Sequence, residues 1–204
     1  MNRLHPSAAP PPHARTVILA SRSKARRALL RQLGLSFRTA VSRVEEGGAH
    51  RRGCAALVVS NARRKALDVA RRRRSGVVIA ADTVVSAGGK IIGKPANLAE
   101  ARATLKLLSR RPQWVHTGIA VVDVDRGRTY TAREKTRVVM RPMSDREISR
   151  YFGRVSPLDM AGSFDIQGLG AVFVTRVEGC YFNVVGLPLA ALSRLLRRAG
   201  IEIP

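Results

Sequence analysis

Residues 77–95 read VVIAADTVVSAGGKIIGKP, and the fold turns on how this stretch is read. Val77 to Val85 is an apolar run rich in β-branched residues. Gly88-Gly89 is a turn, Lys90-Ile91-Ile92 a short return strand, and Gly93-Lys94-Pro95 follows. The pattern predicts a buried strand folded back on itself. A carboxylate, Asp82, sits within the apolar run with Thr83 beside it. Taking a carboxylate out of water costs several kcal/mol unless a cation or a metal compensates it. Lys94 can bring a cation to the same mouth from the far end of the hairpin. Asp82 with Lys94 is therefore a candidate active centre; the competing reading is an edge strand whose Asp faces water.

Working outward, strands and helices alternate. Thr16 to Ala20 (TVILA) reads as a buried strand. It runs into Ser21-Arg22-Ser23, where Ser21 or Ser23 can cap a helix with Ala25, Leu29 and Leu33 on its apolar side and Gly34 as its stop. A strand, a Ser-rich turn and a helix start with Arg26-Arg27 form an anion-binding pattern, and also fit a surface helix with solvated Arg. Phe37 to Val44 reads as a second strand ending in Glu45-Glu46, locally a solvated turn. Ala55 to Val69 is helical and carries Lys65, and Arg71 to Arg74 form its solvated end.

Past the hairpin, Asn97 with Glu100 starts a helix to about Leu108, with Leu98, Ala101, Leu105 and Leu108 facing inward. Trp114 to Val124 turns through Asp125-Arg126-Gly127 into an antiparallel partner, Thr129 to Met140. Ser144 with Glu147 is a capping box for a helix through Phe152. Pro157 to Gly170 reads as a Gly-rich loop, Ala171 to Val177 as a strand, and Tyr181 to Pro188 as a tight link into a last helix ended by Gly200. Several connections are hairpins, so an α/β domain with a mixed sheet is expected rather than an all-parallel one. Neither a GxGxxG nor a Walker A motif occurs.

Composition bounds the function. The chain has 204 residues and is 45% hydrophobic, long enough for one large domain. Residues 1–15, with Pro-rich 9–13, read as a disordered leader, and 16–204 as a single domain. The formal net charge is +23, from 37 Lys+Arg against 14 Asp+Glu. That suits phosphates on a small molecule or a nucleic acid. The excess is nearly all Arg, as a GC-rich coding sequence produces. Aromatics are only 4%, which leaves little for base stacking. A nucleic-acid-binding module predicts steeply salt-dependent binding, and leaves the Asp82 hairpin unexplained. The two cysteines, Cys54 and Cys180, form neither a disulfide framework nor a metal motif, which points to a reduced cytoplasmic setting. No apolar run has the roughly 20 residues of a membrane span.

Taken together, these stretches resemble the Maf family of nucleoside triphosphate pyrophosphatases. Leu19-Ala20-Ser21 through Arg26 and Leu29-Leu30 resembles its opening motif, Glu45-Glu46 its acidic pair, and Ala62 to Ala66 (ARRKA) its A-x-x-KA helix. Ala81 to Val85 with Gly93-Lys94-Pro95 resembles the ADT-x-V…GKP hairpin. Thr136, Glu147-Ile148 and Tyr151 match a later pattern. Ala161-Gly162, Ile166-Gln167-Gly168 and Asn183 to Leu189 (NVVGLPL) match the C-terminal signature. The likeness runs from Val17 to about Leu196 in family order.

The resemblance implies a strongly twisted mixed sheet flanked by helices around a substrate cleft, as in inosine triphosphate pyrophosphatases. It implies hydrolysis of a nucleoside triphosphate to the monophosphate and pyrophosphate with a divalent metal, Mg2+ or Mn2+. It also implies a role in house-cleaning of nucleotide pools, with a link to cell-division arrest. By carry-over Asp82 is the catalytic carboxylate, and Glu46 with Asp82 holds the metal. Ser21, Arg26, Lys65 and Lys94 contact the phosphates. Thr83 and Gln167, with Ala25 as third position, govern base choice. Thr and Gln at those two positions accompany the branch acting on dTTP and UTP; the 7-methyl-GTP branch has Gln and Glu. Lys24-Ala25-Arg26 stands where the dTTP/UTP branch usually has Pro-Arg-Arg, so Ala25 leaves room that a modified nucleotide (7-methyl-GTP, pseudo-UTP, 5-methyl-UTP) could use. No specific nucleic acid and no membrane are expected as partners, and a homodimer is expected by analogy alone.

Overall fold

A computed structural model describes residues 15–48, 53–158 and 160–203. Its central strand is the one read above: β3 (Val77–Ala87) turns through Gly88 and Gly89, both at positive φ, into β4 (Lys90–Ile92). One edge of β3 carries β1 (Val17–Leu19) in parallel, and β1 carries β2 (Phe37–Thr39), also parallel. On the other edge follow β5 (Gln113–Asp123), β6 (Arg128–Met140) and β7 (Val174–Glu178), each antiparallel to the last. The order β2-β1-β3-β5-β6-β7, with β4 paired to β3, is the mixed sheet that the hairpins predicted.

Side-chain alternation along the strands sorts the core into two faces. Val78, Ala80, Ala120 and Val122 pack under α2 (Gly53–Ala70) through Ala62, Ala66 and Val69. On the opposite face, Val77, Ile79, Ile119 and Val121 meet α1 (Lys24–Gln32) and α6 (Leu189–Arg198). Farther along that face Val85, Val115 and Val138 meet α3 (Leu98–Leu108) and α4 (Asp145–Phe152). Both predicted caps are present: Asn97 accepts from Glu100 N–H, and Ser144 and Glu147 form a reciprocal box. Arg141, with the backbone and hydroxyl of Ser144, holds the Glu147 carboxyl down to about 2. No helix among the described residues is long and apolar enough to cross a membrane.

Four local expectations change. The second strand ends at Thr39, not Val44, because β1 offers only three residues to pair with. The last bond is Ala40 N–H to Leu19 O at 3.0 Å, after which the chain crosses to α2, where Arg43 N–H reaches Asp68 Oδ2 at 2.9 Å. The strand expected over 171–177 starts only at Val174, and Leu169–Phe173 is a 3-10 turn. The chain there is wrapped tightly on itself: a Cβ on Gly170 would lie 2.6 Å from the Asp165 carbonyl oxygen. The link Tyr181 to Pro188 contains a short helix, α5 (Tyr181–Val185), bracketed by Gly179 and Gly186 at φ of 120° and 111°. Leu98, the first residue of α3, lies outside the inward stripe and is exposed.

Residues 1–14 of the expected leader lie outside the described residues. Arg15, its last residue, donates to Asp123 Oδ2 (3.2 Å) and Asp125 Oδ2 (3.1 Å), and to the Ala199 carbonyl. It thereby ties the β5–β6 turn to the end of α6. Burial pushes the fully buried Asp123 carboxyl up, but Arg15 and the Arg126 N–H outweigh it and hold it below the usual range. A depressed carboxylate contributes stability that is present above its unfolded pKa and lost as pH falls through the folded one. Asp123→Asn is therefore expected to cost about 2–3 kcal/mol at pH 7, below the full cost of breaking a buried pair because Arg15 keeps Asp125. Urea unfolding checks this, and the gap from the parent protein should shrink below about pH 4.

Candidate active site

β1 pairs with β3 only along Val77–Ile79, and β4 only along Val85–Ala87. The edge of β3 between them carries no strand, and Arg26, from the first turn of α1, fills it. Its Nη1 donates to the Ala81 carbonyl (2.8 Å), Nη2 to Thr83 Oγ1 (3.0 Å), and Nε to the Gly186 carbonyl (2.9 Å). Ser21 Oγ, in the β1–α1 turn, accepts from Ser23 N–H (3.2 Å) and stands 3.5 Å from Arg26 Nη1. The capping reading resolves to Ser23, whose hydroxyl accepts from Arg26 N–H.

Asp82 and Thr83 are consecutive, so their side chains leave opposite faces of the sheet. Asp82 is 3% exposed and points to the α2 face. Lys65 Nζ lies 3.0 Å from Asp82 Oδ1 and 2.7 Å from Glu46 Oε1. Asn61, one turn earlier on α2, donates to Asp82 Oδ2 (3.0 Å) and to the Gly47 carbonyl (3.0 Å), and accepts from Gly47 N–H (3.1 Å). Asn61 thus anchors the loop that brings Glu46 over Lys65. α2 comes this close because the residue opposite Asp82 on β5 is Gly118: a Cβ there would lie 2.3 Å from the Val58 carbonyl oxygen.

The electrostatics join the two clusters. Partial burial pushes the Glu46 carboxyl up, but Lys65, then Arg26 and Lys94, outweigh it and hold it below the usual range. Burial lowers the Arg26 guanidinium, while Asp82 and Glu46 oppose that shift. Glu46 is largely exposed, its side chain 62% accessible against 5% for Asp82. The site is thus a buried carboxylate behind a buried ammonium, with an outer carboxylate and two further cations at its mouth. Such an arrangement can bind a polyanion and orient a water against it.

Of the residues singled out from sequence, Glu46, Lys65 and Asp82 are in direct contact, and so are Ser21, Arg26 and Thr83. Lys94 is exposed just past β4, with no ion-pair partner among the described residues. Ala25 is half-buried beside Arg26. Gln167 is exposed on its own loop, its backbone N–H on Asp165 Oδ1 (2.8 Å), and no hydrogen bond ties it to the Arg26 cluster.

A family profile described as "Maf-like protein" matches residues 16–199. The chain belongs to the Maf-like family. Curated relatives align with this Maf-like chain over nearly its whole length. The dTTP/UTP pyrophosphatase of Dictyoglomus turgidum is 43% identical, covering 92% of this chain and 97% of its own. That of Methanosarcina barkeri is also 43% identical, covering 93% and 96%. That of Desulforamulus reducens is 41% identical, covering 93% and 99%. Among solved structures, the Staphylococcus aureus Ham1 protein aligns with a TM-score of 0.45 at 16% identity, over 61% of this chain and 71% of that one, too loosely to argue from.

The donor set of the Maf-like site bears on the expected metal. Among the described residues no group of three or more His, Cys, Asp or Glu stands together. The protein offers Asp82 and Glu46, both on Lys65. One or two carboxylates is the number Mg2+ uses when substrate phosphates and waters complete its shell, so the residues fit.

Three contributors were not found from sequence. Asn61 lies between the inward positions Val58 and Lys65 of α2, and a polar residue on an apolar stripe was the available signal. Gly118 is an isolated Gly within a strand, a known mark of close backbone approach. Thr117, paired with Thr83 across β3 and β5, left no signal beyond its β-propensity.

Proposed function

We propose that the chain hydrolyses nucleoside triphosphates between the α- and β-phosphates, releasing the monophosphate and pyrophosphate, with dTTP and UTP as preferred substrates. The observation that carries this reading is the contact of Lys65 with both Asp82 and Glu46 beside the Arg26-filled edge of β3. Its substrate class is supported by the relatives named dTTP/UTP pyrophosphatase at over 40% identity.

In this reading Arg26, Lys94 and Ser21 engage the triphosphate oxygens, and the two cations stabilise the charge that develops on the leaving pyrophosphate. Asp82 orients the attacking water and takes its proton. Lys65 holds the Asp82 carboxylate in place while Glu46 reaches outward. Asp82 and Glu46 would hold a divalent metal, Mg2+ or Mn2+, which would supply Lewis-acid polarisation of the phosphoryl group when bound. Thr83, Ala25 and Gln167 bear on the base. A cytoplasmic, homodimeric enzyme clearing nucleotide pools, with a link to division arrest, is the wider setting that this reading expects.

A panel of triphosphates compared by kcat/KM tests the substrate assignment. dTTP and UTP are expected to lead purine triphosphates by at least about tenfold, the discrimination of one or two lost contacts. Equal rates on purines and pyrimidines would refute the preference. A lead for 7-methyl-GTP, pseudo-UTP or 5-methyl-UTP would move it to a modified nucleotide, using the room beside Ala25.

A further inference from the structure

Thr136 and Asn183 belong to the motifs that carry the family likeness, yet neither touches the acid pair or the open edge of β3. Both are fully buried, as is Thr117, so three buried polar side chains meet where α5 packs on β5 and β6. They are linked in series. Thr117 Oγ1 donates to the Asn183 carbonyl (3.3 Å) and is 2.9 Å from Thr83 Oγ1. Asn183 Nδ2 donates to the Val115 carbonyl (3.0 Å) and to Thr136 Oγ1 (2.8 Å). Thr136 Oγ1 donates to the Cys180 carbonyl (3.0 Å) and accepts from Cys180 N–H (3.1 Å).

A hydroxyl has one proton, and this fixes the direction of the chain. Thr117 gives its proton to the Asn183 carbonyl and Thr83 gives its own to Thr117, while the Thr83 oxygen accepts from Arg26 Nη2. The same elements reach Arg26 by a second route. The Thr136 and Asn183 bonds clamp α5 to β5 and β6, and the residue that ends α5, Gly186, offers its carbonyl to Arg26 Nε at 2.9 Å. The bonds that Thr83 and the Gly186 carbonyl make to the guanidinium therefore both depend on this chain. Stability alone does not account for it: Asn183 Oδ1 is buried with no partner among the described residues, a cost an apolar residue would avoid.

We infer that Thr117, Asn183 and Thr136 form a positioning chain that aims Arg26 at the triphosphate. The inference rests on the reading of Arg26 as a phosphate ligand. It is tested by calorimetric titration of α,β-methylene-UTP, with Mg2+, into the parent protein and four variants: Thr117→Val, Thr117→Ser, Arg26→Ala and Arg26→Ala with Thr117→Val. Thr117→Val keeps the shape and removes the hydroxyl. It is expected to weaken binding about tenfold, the worth of one mis-set hydrogen bond to a charged group. Thr117→Ser restores affinity to within about threefold, and Thr117→Val adds less than about twofold once Arg26 is gone.

Loss with Ser equal to that with Val, or a full Thr117→Val effect in the Arg26→Ala background, overturns the inference. So does an unchanged Thr117→Val when Arg26→Ala weakens binding. An Arg26→Ala protein that binds like the parent overturns the reading of Arg26 and this inference with it. Should Thr117→Val fail to fold, Thr136→Val against Thr136→Ser makes the same comparison through the α5 clamp.

Discussion

Asp82→Asn is expected to lower kcat by about three orders of magnitude, within the range that loss of a general base costs, while KM changes by no more than about threefold. The substitution keeps the size of the side chain and an oxygen for the Asn61 amide. Lys65 loses one of its two carboxylates but keeps Glu46 at 2.7 Å, so its ammonium is not left alone in the interior. Stability should therefore fall by only about 1–2 kcal/mol, the worth of a charge-assisted bond rather than of an orphaned ion. The separation of the two effects is the point of the experiment. A protein that melts near the parent and binds the triphosphate but does not turn it over places the loss at the chemical step. If activity survived within about tenfold, water activation would have to lie elsewhere, and Asp82 would be a packing partner of Lys65.

Gly118→Ala is expected to damage both stability and activity, for a reason that lies in backbone geometry. The new Cβ would fall 2.3 Å from the Val58 carbonyl oxygen, 2.4 Å from its carbon and 2.5 Å from Val59 N. These are backbone atoms of α2, so no side-chain rotation relieves the clash, and the helix must lift from the sheet. Overpacking of this kind costs about 3 kcal/mol. Asn61 and Lys65 ride on that helix, and a shift of about 1 Å at Asp82 lowers kcat/KM by about 100-fold. Thermal melting with kinetics, at a temperature where the variant is folded, checks both. Trimming Val58 to Ala should not rescue the variant, because the atoms struck are not in its side chain. Parent-like kinetics in Gly118→Ala would show that the close approach of α2 is not what sets Lys65.

The parts of this site that were legible in the sequence are those written in local pattern. A carboxylate in a β-branched run, a Gly-Gly turn and a Gly-Lys-Pro exit placed Asp82 and Lys94 on one hairpin, and helical spacing placed Lys65 on the helix that precedes it. The N-cap at Asn97 and the capping box at Ser144 set helix starts to within a residue. What stayed hidden depends on contacts between distant residues. Glu46 has no local mark beyond a strand end, and it joins the site because Asn61, 14 residues past Gly47, holds the Gly47 N–H and carbonyl with its side-chain oxygen and nitrogen. The second strand was read five residues too long because its length is set by its three-residue partner, not by its own sequence. Arg26 also fitted a solvated helix face; what separates the readings is the strandless gap in the edge of β3, a property of β1 and β4 together. Gln167 matches a family position, yet its loop is shaped by its own wrapping around Asp165, which no periodicity reveals.

Hydrolysis of UTP in 18O-labelled water, with both products analysed by mass spectrometry, tests whether water attacks the α-phosphorus and pyrophosphate leaves. UMP and pyrophosphate are the expected products, with one labelled oxygen in the UMP and none in the pyrophosphate. Release of orthophosphate, or label found in the pyrophosphate, would overturn this assignment.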